Sequence, residues 1–149
     1  MRASEQPAIG VWRSFVRAKA AIRRAVHRDL REHGLTGSQL DILRVLAESG
    51  TDGTQLNDIS QRLYVTSGNV TGLIDRLEEA GYLARVPHPQ DRRITRAVLT
   101  PAGRELFERL HPPYLDRIKS LMSSLTAKEQ AVLADLLGRV ADRAAEMDG

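Results

Sequence analysis

Two runs of side chains in this chain could do chemistry, and both suit a phosphate-rich partner. The first is His88-Pro89-Gln90-Asp91-Arg92-Arg93, followed at once by the alternation Ile94, Arg96, Val98. The second is Thr66-Ser67-Gly68-Asn69-Val70-Thr71-Gly72, with Arg76 one turn further on. Hydroxyls and amides at the start of a helix can donate to phosphates and base edges. Clustered arginine supplies the electrostatic footprint that such a surface needs. Residues 85–104 hold five arginines against one acid, while residues 34–84 hold three basic residues against seven acidic ones. Arginine outnumbers lysine nineteen to three. The positive charge is therefore local, although the formal net charge is only +3.

Other chemistries lack their residues. The chain has no cysteine, which excludes disulfides, thiolate metal sites and thiol redox switching. His27, His33, His88 and His111 share no metal-ligand spacing, so no metal site is expected. Neither a glycine-rich phosphate loop nor a G-x-S-x-G elbow occurs, and no cofactor or enzymatic activity is expected. No apolar run approaches the roughly 20 residues that cross a bilayer. The first ten residues lack the apolar centre of a signal peptide. A cytoplasmic protein is expected.

Elements must position the two runs. Residues 9–32 read as one long helix, stopped by Gly34. Thr36 and Gln39 form a capping box for a second helix, with Leu40, Leu43 and Leu46 as its stripe. Thr54 is read as the cap of a short third helix carrying Leu56, Ile59 and Leu63. A tight turn then leads to a fourth, with Val70, Leu73, Ile74 and Leu77 on one face. Opposite that face lie Gly68, Gly72, Asp75, Arg76 and Glu79. Glycine is disfavoured by roughly 1 kcal/mol in a helix interior, so two glycines there suggest close approach to a large surface. Strands are predicted at Tyr82–Val86 and Ile94–Leu99, with Pro87 to Arg93 as a hairpin tip. Thr100-Pro101 opens another helix, which Pro112-Pro113 is expected to kink or break near His111. A second capping box, Thr126 to Glu129, opens the last helix, with Leu133, Leu136, Leu137 and Val140 in its stripe.

The predicted fold is mainly α with a small β-hairpin wing: a winged helix-turn-helix with N- and C-terminal dimerisation helices. The expected division is 1–34 for an N-terminal dimerisation helix, 35–100 for a DNA-binding lobe and 101–149 for C-terminal dimerisation helices. The terminal helices carry more apolar stripe than a winged helix can bury alone, which points to a second copy.

Several runs together resemble one family. They are Leu35-Thr36, Asp41-Ile42-Leu43, Val65-Thr66-Ser67-Gly68-Asn69-Val70-Thr71, Asp75-Arg76-Leu77-Glu78, Gly81-Tyr82-Leu83, Asp91-Arg92-Arg93 and Leu99-Thr100-Pro101-Ala102-Gly103. They are similar to the multiple-antibiotic-resistance regulator (MarR) family over roughly residues 9–147. The Asp-Arg-Arg run followed by Leu-Thr-x-x-Gly is the most specific part. The resemblance implies a homodimeric transcription factor, commonly a repressor that releases double-stranded DNA on binding a small aromatic or phenolic acid. It implies that the fourth helix enters the major groove and that Arg93 reaches the adjacent minor groove. Asp91 would orient an arginine. Where several relatives carry a long polar side chain this chain has Gly72, so base reading would rest on Thr66, Ser67, Asn69, Thr71 and Arg76, supported by Arg92 and Arg93.

For the effector, Trp12, Asp41 and Arg85 resemble three of four positions of a urate-responsive branch, while Glu48 stands where that branch has a basic residue. Arg17 lies where other relatives place a carboxylate-binding arginine. Arg17 and Arg85 with Trp12 could hold a planar anion by charge-assisted hydrogen bonds and stacking. The alternative is a winged-helix module that binds protein without DNA; the wing arginines argue against it.

Overall fold

The computed structural model describes residues 6–64 and 69–149. Thr66, Ser67 and Gly68, three of the expected DNA contacts, therefore lie outside the described residues. The elements run α1 (Pro7–Val26), α2 (Arg28–Glu32), α3 (Gly37–Glu48), a short 3-10 turn at Gly50–Asp52, β1 (Thr54–Gln55), α4 (Leu56–Arg62), α5 (Val70–Glu79), β2 (Leu83–Pro87), β3 (Thr95–Leu99), α6 (Pro101–Met122) and α7 (Ala127–Asp148). The chain divides into two compact units, residues 1–114 and 115–149.

The first unit is built around α3. Its capping box is complete: the Gln39 amide donates to Thr36 Oγ1 at 3.1 Å, and the Thr36 amide to Gln39 Oε1 at 3.0 Å. Leu40, Ile42, Leu43, Val45 and Leu46 are all buried. The helix is covered on nearly every side, which places it at the centre of the lobe rather than on a face. Ile59 of α4, Leu73, Ile74 and Leu77 of α5, Leu83 of β2, Ala97 of β3 and Leu106 and Leu110 of α6 join it in one core.

The mainly α fold with a small wing matches expectation, with four local corrections. The first helix is not continuous to residue 32. It bends at His27, whose ring stacks on Tyr114 (centroids 5.9 Å apart) and lies against Gly37, where a Cβ would come within 2.5 Å of the imidazole. Thr54 is not a helix cap. It sits in β1, buried and bonded to Ser49 Oγ, and it pairs with Ala97. The hairpin thereby becomes a three-stranded antiparallel sheet in the order β1-β3-β2, with Arg85 opposite Ala97 and Leu83 opposite Leu99. The wing strands lie one residue later than predicted at their starts, so the tip is 88–94.

The fourth correction concerns the prolines. Helix α6 runs unbroken through Pro112 and Pro113. Each proline removes one i→i−4 bond, to the carbonyls of Glu108 and Arg109. Those two residues and both prolines are exposed, so water can satisfy the freed carbonyls, while Leu106 and Leu110 anchor the other side. Earlier in the same helix, Gly103 allows a close approach that a side chain would block: a Cβ there would stand 1.8 Å from the Tyr82 carbonyl oxygen.

In the first unit, α1 leaves Ile9, Val11, Trp12, Phe15 and Val16 exposed. In the second unit, α7 starts with a complete capping box between Thr126 and Glu129. It leaves Val132, Leu133, Leu136, Leu137, Val140 and Met147 exposed.

Candidate DNA-binding surface

Helix α5 owes its start to Asn69, whose Oδ1 accepts the Gly72 amide at 2.9 Å. The Asn69 carboxamide lies over the Gly72 Cα, where a Cβ would meet it at 2.4 Å. Gly72 thus has a reason inside the helix, besides any approach to a partner: it leaves room for its own cap. Leu73, Ile74 and Leu77 are buried, so Asn69, Thr71, Asp75, Arg76 and Glu79 are turned outward and exposed.

Residues 62–64, after α4, are held from α3. The Asp41 carboxylate accepts the Tyr64 backbone amide and, at 2.6 Å, Arg44 Nε. Arg44 also donates to the Arg62 carbonyl at 2.8 Å and to Glu48 at 2.9 Å. Its guanidinium lies 4.1 Å above the Tyr64 ring. One buried carboxylate and one arginine therefore fix residues 62–64, immediately before the expected contact residues. The sequence reading missed Arg44. Its signal was present, since Asp41, Arg44 and Glu48 share one helical face at i, i+3 and i+7.

The wing tip is closed by the His88 amide donating to the Ile94 carbonyl at 2.8 Å. Inside it, Arg93 is tied to Asp91: Nε donates to Oδ1 and Nη2 to Oδ2, both at 3.0 Å, and the Arg93 amide donates to Oδ1 at 3.1 Å. These bonds hold the Asp91 carboxyl below the usual carboxylate range. Arg93 is nonetheless 90% exposed, and Arg92 beside it is exposed too. The carboxylate orients the guanidinium without covering it.

Of the four residues proposed for an effector, two are exposed and two are engaged within the lobe. Trp12 is exposed on α1 with its ring centroid 6.2 Å from that of Phe15, and Arg17 is exposed on the same helix. Asp41 holds Tyr64 as described. Arg85, in the middle of β2, donates Nη1 to Glu78 at 2.6 Å and its backbone amide to the same carboxylate at 2.9 Å, and its Nη2 pairs with Asp75. Among the described residues no cluster of three or more His, Cys, Asp or Glu side chains could hold a metal, and no helix is long and apolar enough to cross a membrane.

Comparison with known proteins agrees with this architecture. Residues 33–94 match the MarR family. The chain is 36% identical over 130 residues to the uncharacterized HTH-type transcriptional regulator YkoM of Bacillus subtilis, covering 87% of this chain and 83% of that one. Among solved structures it resembles Bordetella bronchiseptica BpsR, whose DNA binding is regulated by 6-hydroxynicotinic acid, with a TM-score of 0.74 at 29% identity over 95% and 97% of the two chains. It shares its fold with AbsC of Streptomyces coelicolor, a MarR family transcriptional regulator, with a TM-score of 0.84 at 23% identity over 98% and 99%.

Proposed function

Because the chain belongs to the MarR family of DNA-binding transcriptional regulators, we propose that it works as a homodimeric repressor, released from a roughly palindromic operator by a small aromatic anion. The wing carries this reading: Arg93 is exposed and aimed by Asp91 at the tip of a hairpin beside α5. A narrow minor groove, with its enhanced negative potential, attracts an arginine presented in this way. Asn69, Thr71, Gly72 and Arg76, with Thr66, Ser67 and Gly68 before them, form the major-groove side of the proposed interface, and Arg92 adds charge at the tip.

Support for the dimer comes from the exposed stripes of α1 and α7, which water should not cover in the working protein. Two copies related by a two-fold axis would read half-sites about one helical turn, or 10 base pairs, apart. For the effector, Trp12 and Arg17 offer an exposed aromatic face and a cation on one helix. Asp41 and Arg85 already hold charged partners within the lobe, so the ligand is assigned first to Trp12 and Arg17. The regulation of BpsR by an aromatic acid supports the same ligand class here.

The test is selection of bound duplexes from random DNA, followed by titration of the complex with a panel of aromatic carboxylates that includes 6-hydroxynicotinic acid. The proposal expects one anion to quench Trp12, the single tryptophan, and to release DNA over the same concentration range. Linkage then requires DNA to weaken that anion by the same factor, typically about 5–150-fold. A panel that neither quenches Trp12 nor shifts the complex removes the effector assignment. Failure to enrich any duplex removes the operator reading.

A further inference from the structure

We infer that Arg85 is a positioning residue for DNA reading, because it locks helix α5 to the wing strand through Asp75 and Glu78. The inference rests on the proposed operator reading and assigns Arg85 a task other than ligand binding. Three bonds make the lock. The Arg85 backbone amide and Nη1 take the two oxygens of Glu78 at 2.9 and 2.6 Å, and Nη2 takes Asp75 one turn earlier on the same helix face. Glu78 thus straddles the main chain and the side chain of one β2 residue. Both ends of the guanidinium fork are occupied, and Arg85 is only 25% exposed. A ligand carboxylate would have to share the guanidinium with two carboxylates that already neutralise it.

Its place in the fold gives the lock a consequence. Arg85 sits opposite the fully buried Ala97, at the centre of the β2–β3 ladder. Two residues further, β2 ends and the tip bearing Arg92 and Arg93 begins. On the other side, Asp75 and Glu78 belong to the helix whose first turn carries Asn69 and Thr71. Arg85 is therefore the polar tie between the two surfaces that must reach successive grooves together. It also changes the field. Asp75, Glu78 and Glu79 place three carboxylates on α5 against the single cation Arg76, and Arg85 offsets part of that charge beside a polyanion.

The arrangement makes a prediction of sign. If Asp75 and Glu78 are simply acids near DNA, removing their charge tightens binding. If they are halves of a lock, removing it loosens binding. The experiment uses the full chain, a duplex selected by the wild type, and a derivative with one base pair inserted between the core of the half-site and its flank. Affinities of both are measured by anisotropy for wild type, Arg85→Gln, Arg85→Lys, Glu78→Gln and the Arg85→Gln/Glu78→Gln pair, with thermal midpoints recorded alongside. Each partly exposed pair contributes up to about a factor of five. The expected result on the selected duplex is thus about a 5- to 10-fold loss for Arg85→Gln, which breaks both pairs, and up to about 5-fold for Glu78→Gln, which breaks one. The double variant should be no worse than the weaker single one. Discrimination against the inserted duplex should shrink in both single variants, an effect that lower stability alone would not produce. Arg85→Lys, which keeps the charge but not the fork, should lose discrimination while keeping most of its affinity.

Tighter binding by Glu78→Gln overturns the inference, and so does full discrimination in Arg85→Gln. An Arg85→Gln protein that binds as wild type but ignores an anion that releases the wild type would overturn it and return Arg85 to the effector site. A wild-type protein that selects no duplex would overturn both this inference and the operator reading.

Discussion

Asp41→Ala should damage the protein more than any surface substitution of an acid, and the size of the loss can be worked from its partners. Asp41 is 7% exposed and accepts both the Tyr64 amide and Arg44 Nε. Alanine leaves the Tyr64 N–H without its acceptor, and because Tyr64 is exposed, water can reach it, so the cost is about 1 kcal/mol, the low end for a lost acceptor. It also strips Arg44 of one carboxylate. Breaking a wholly buried ion pair costs about 3–5 kcal/mol, but Arg44 is 12% exposed and keeps Glu48 at 2.9 Å and the Arg62 carbonyl at 2.8 Å. Only a fraction of that figure applies. The sum is a destabilisation of about 1–3 kcal/mol. Asp41→Asn keeps one oxygen for Tyr64 but turns an NH2 toward Arg44 Nε in place of the second, so it should be milder than alanine only by the Tyr64 bond that it retains. Urea unfolding followed by circular dichroism measures both, read as a shift in midpoint at constant slope. An alanine variant within about 0.5 kcal/mol of wild type, the ordinary range for surface changes, would refute the pinning of residues 62–64 from α3.

Two further outcomes are expected. Gly103→Ala should destabilise by about 1–3 kcal/mol or more, although helix propensity alone favours alanine by about 1 kcal/mol, because the new Cβ would overlap the Tyr82 carbonyl; a higher thermal midpoint would show that the backbone there relaxes freely. Stability should also fall on acidification below about pH 6.5, since burial, reinforced by Arg23 and Arg31 at His27 and by Arg44 at His111, holds both imidazoles below their ordinary value of 6.5. Both are favoured neutral in the fold, so the unfolded chain takes up more protons there: their contribution is complete above the unfolded value and is lost as pH drops through the folded ones. Replacing both histidines with glutamine should flatten urea midpoints measured between pH 7.5 and 5.5, and an unchanged profile would count against the assignment.

What the sequence made legible was what short-range rules decide. Thr36 and Thr126 announce their helices because a capping box is complete within four residues, and the period-two run after Ile94 announces a strand. The Asp91–Arg93 fork has partners only two residues apart, but its role was read from the family resemblance rather than from local rules. Less legible were features set by distant partners. His27 bends the first helix because of Tyr114 and Gly37, and Thr54 joins a strand because Ala97 lies opposite it. Pro112 and Pro113 are tolerated because their side of α6 is exposed, which periodicity alone does not reveal. In the candidate site, Arg93 and Arg85 were both assigned by resemblance, and Arg85's pairing with Asp75 and Glu78 was not legible because those acids reach it only once β2 folds back against α5. Arg44 was passed over because a charged residue on a helix normally faces water.

The central claim, that α5 and the wing together grip DNA, is tested most directly by the salt dependence of binding to a selected duplex. Each phosphate neutralised adds about −0.9 to the slope of log K against log salt. A dimer applying two helices and two arginine wings should neutralise six or more, so the slope should be about −5 or steeper. Arg93→Ala should make it shallower by roughly one unit for each phosphate that its guanidinium no longer neutralises. A flat response in the wild type, or an Arg93→Ala protein with the wild-type slope and affinity, would contradict the account; the first result would favour a winged helix that binds protein instead.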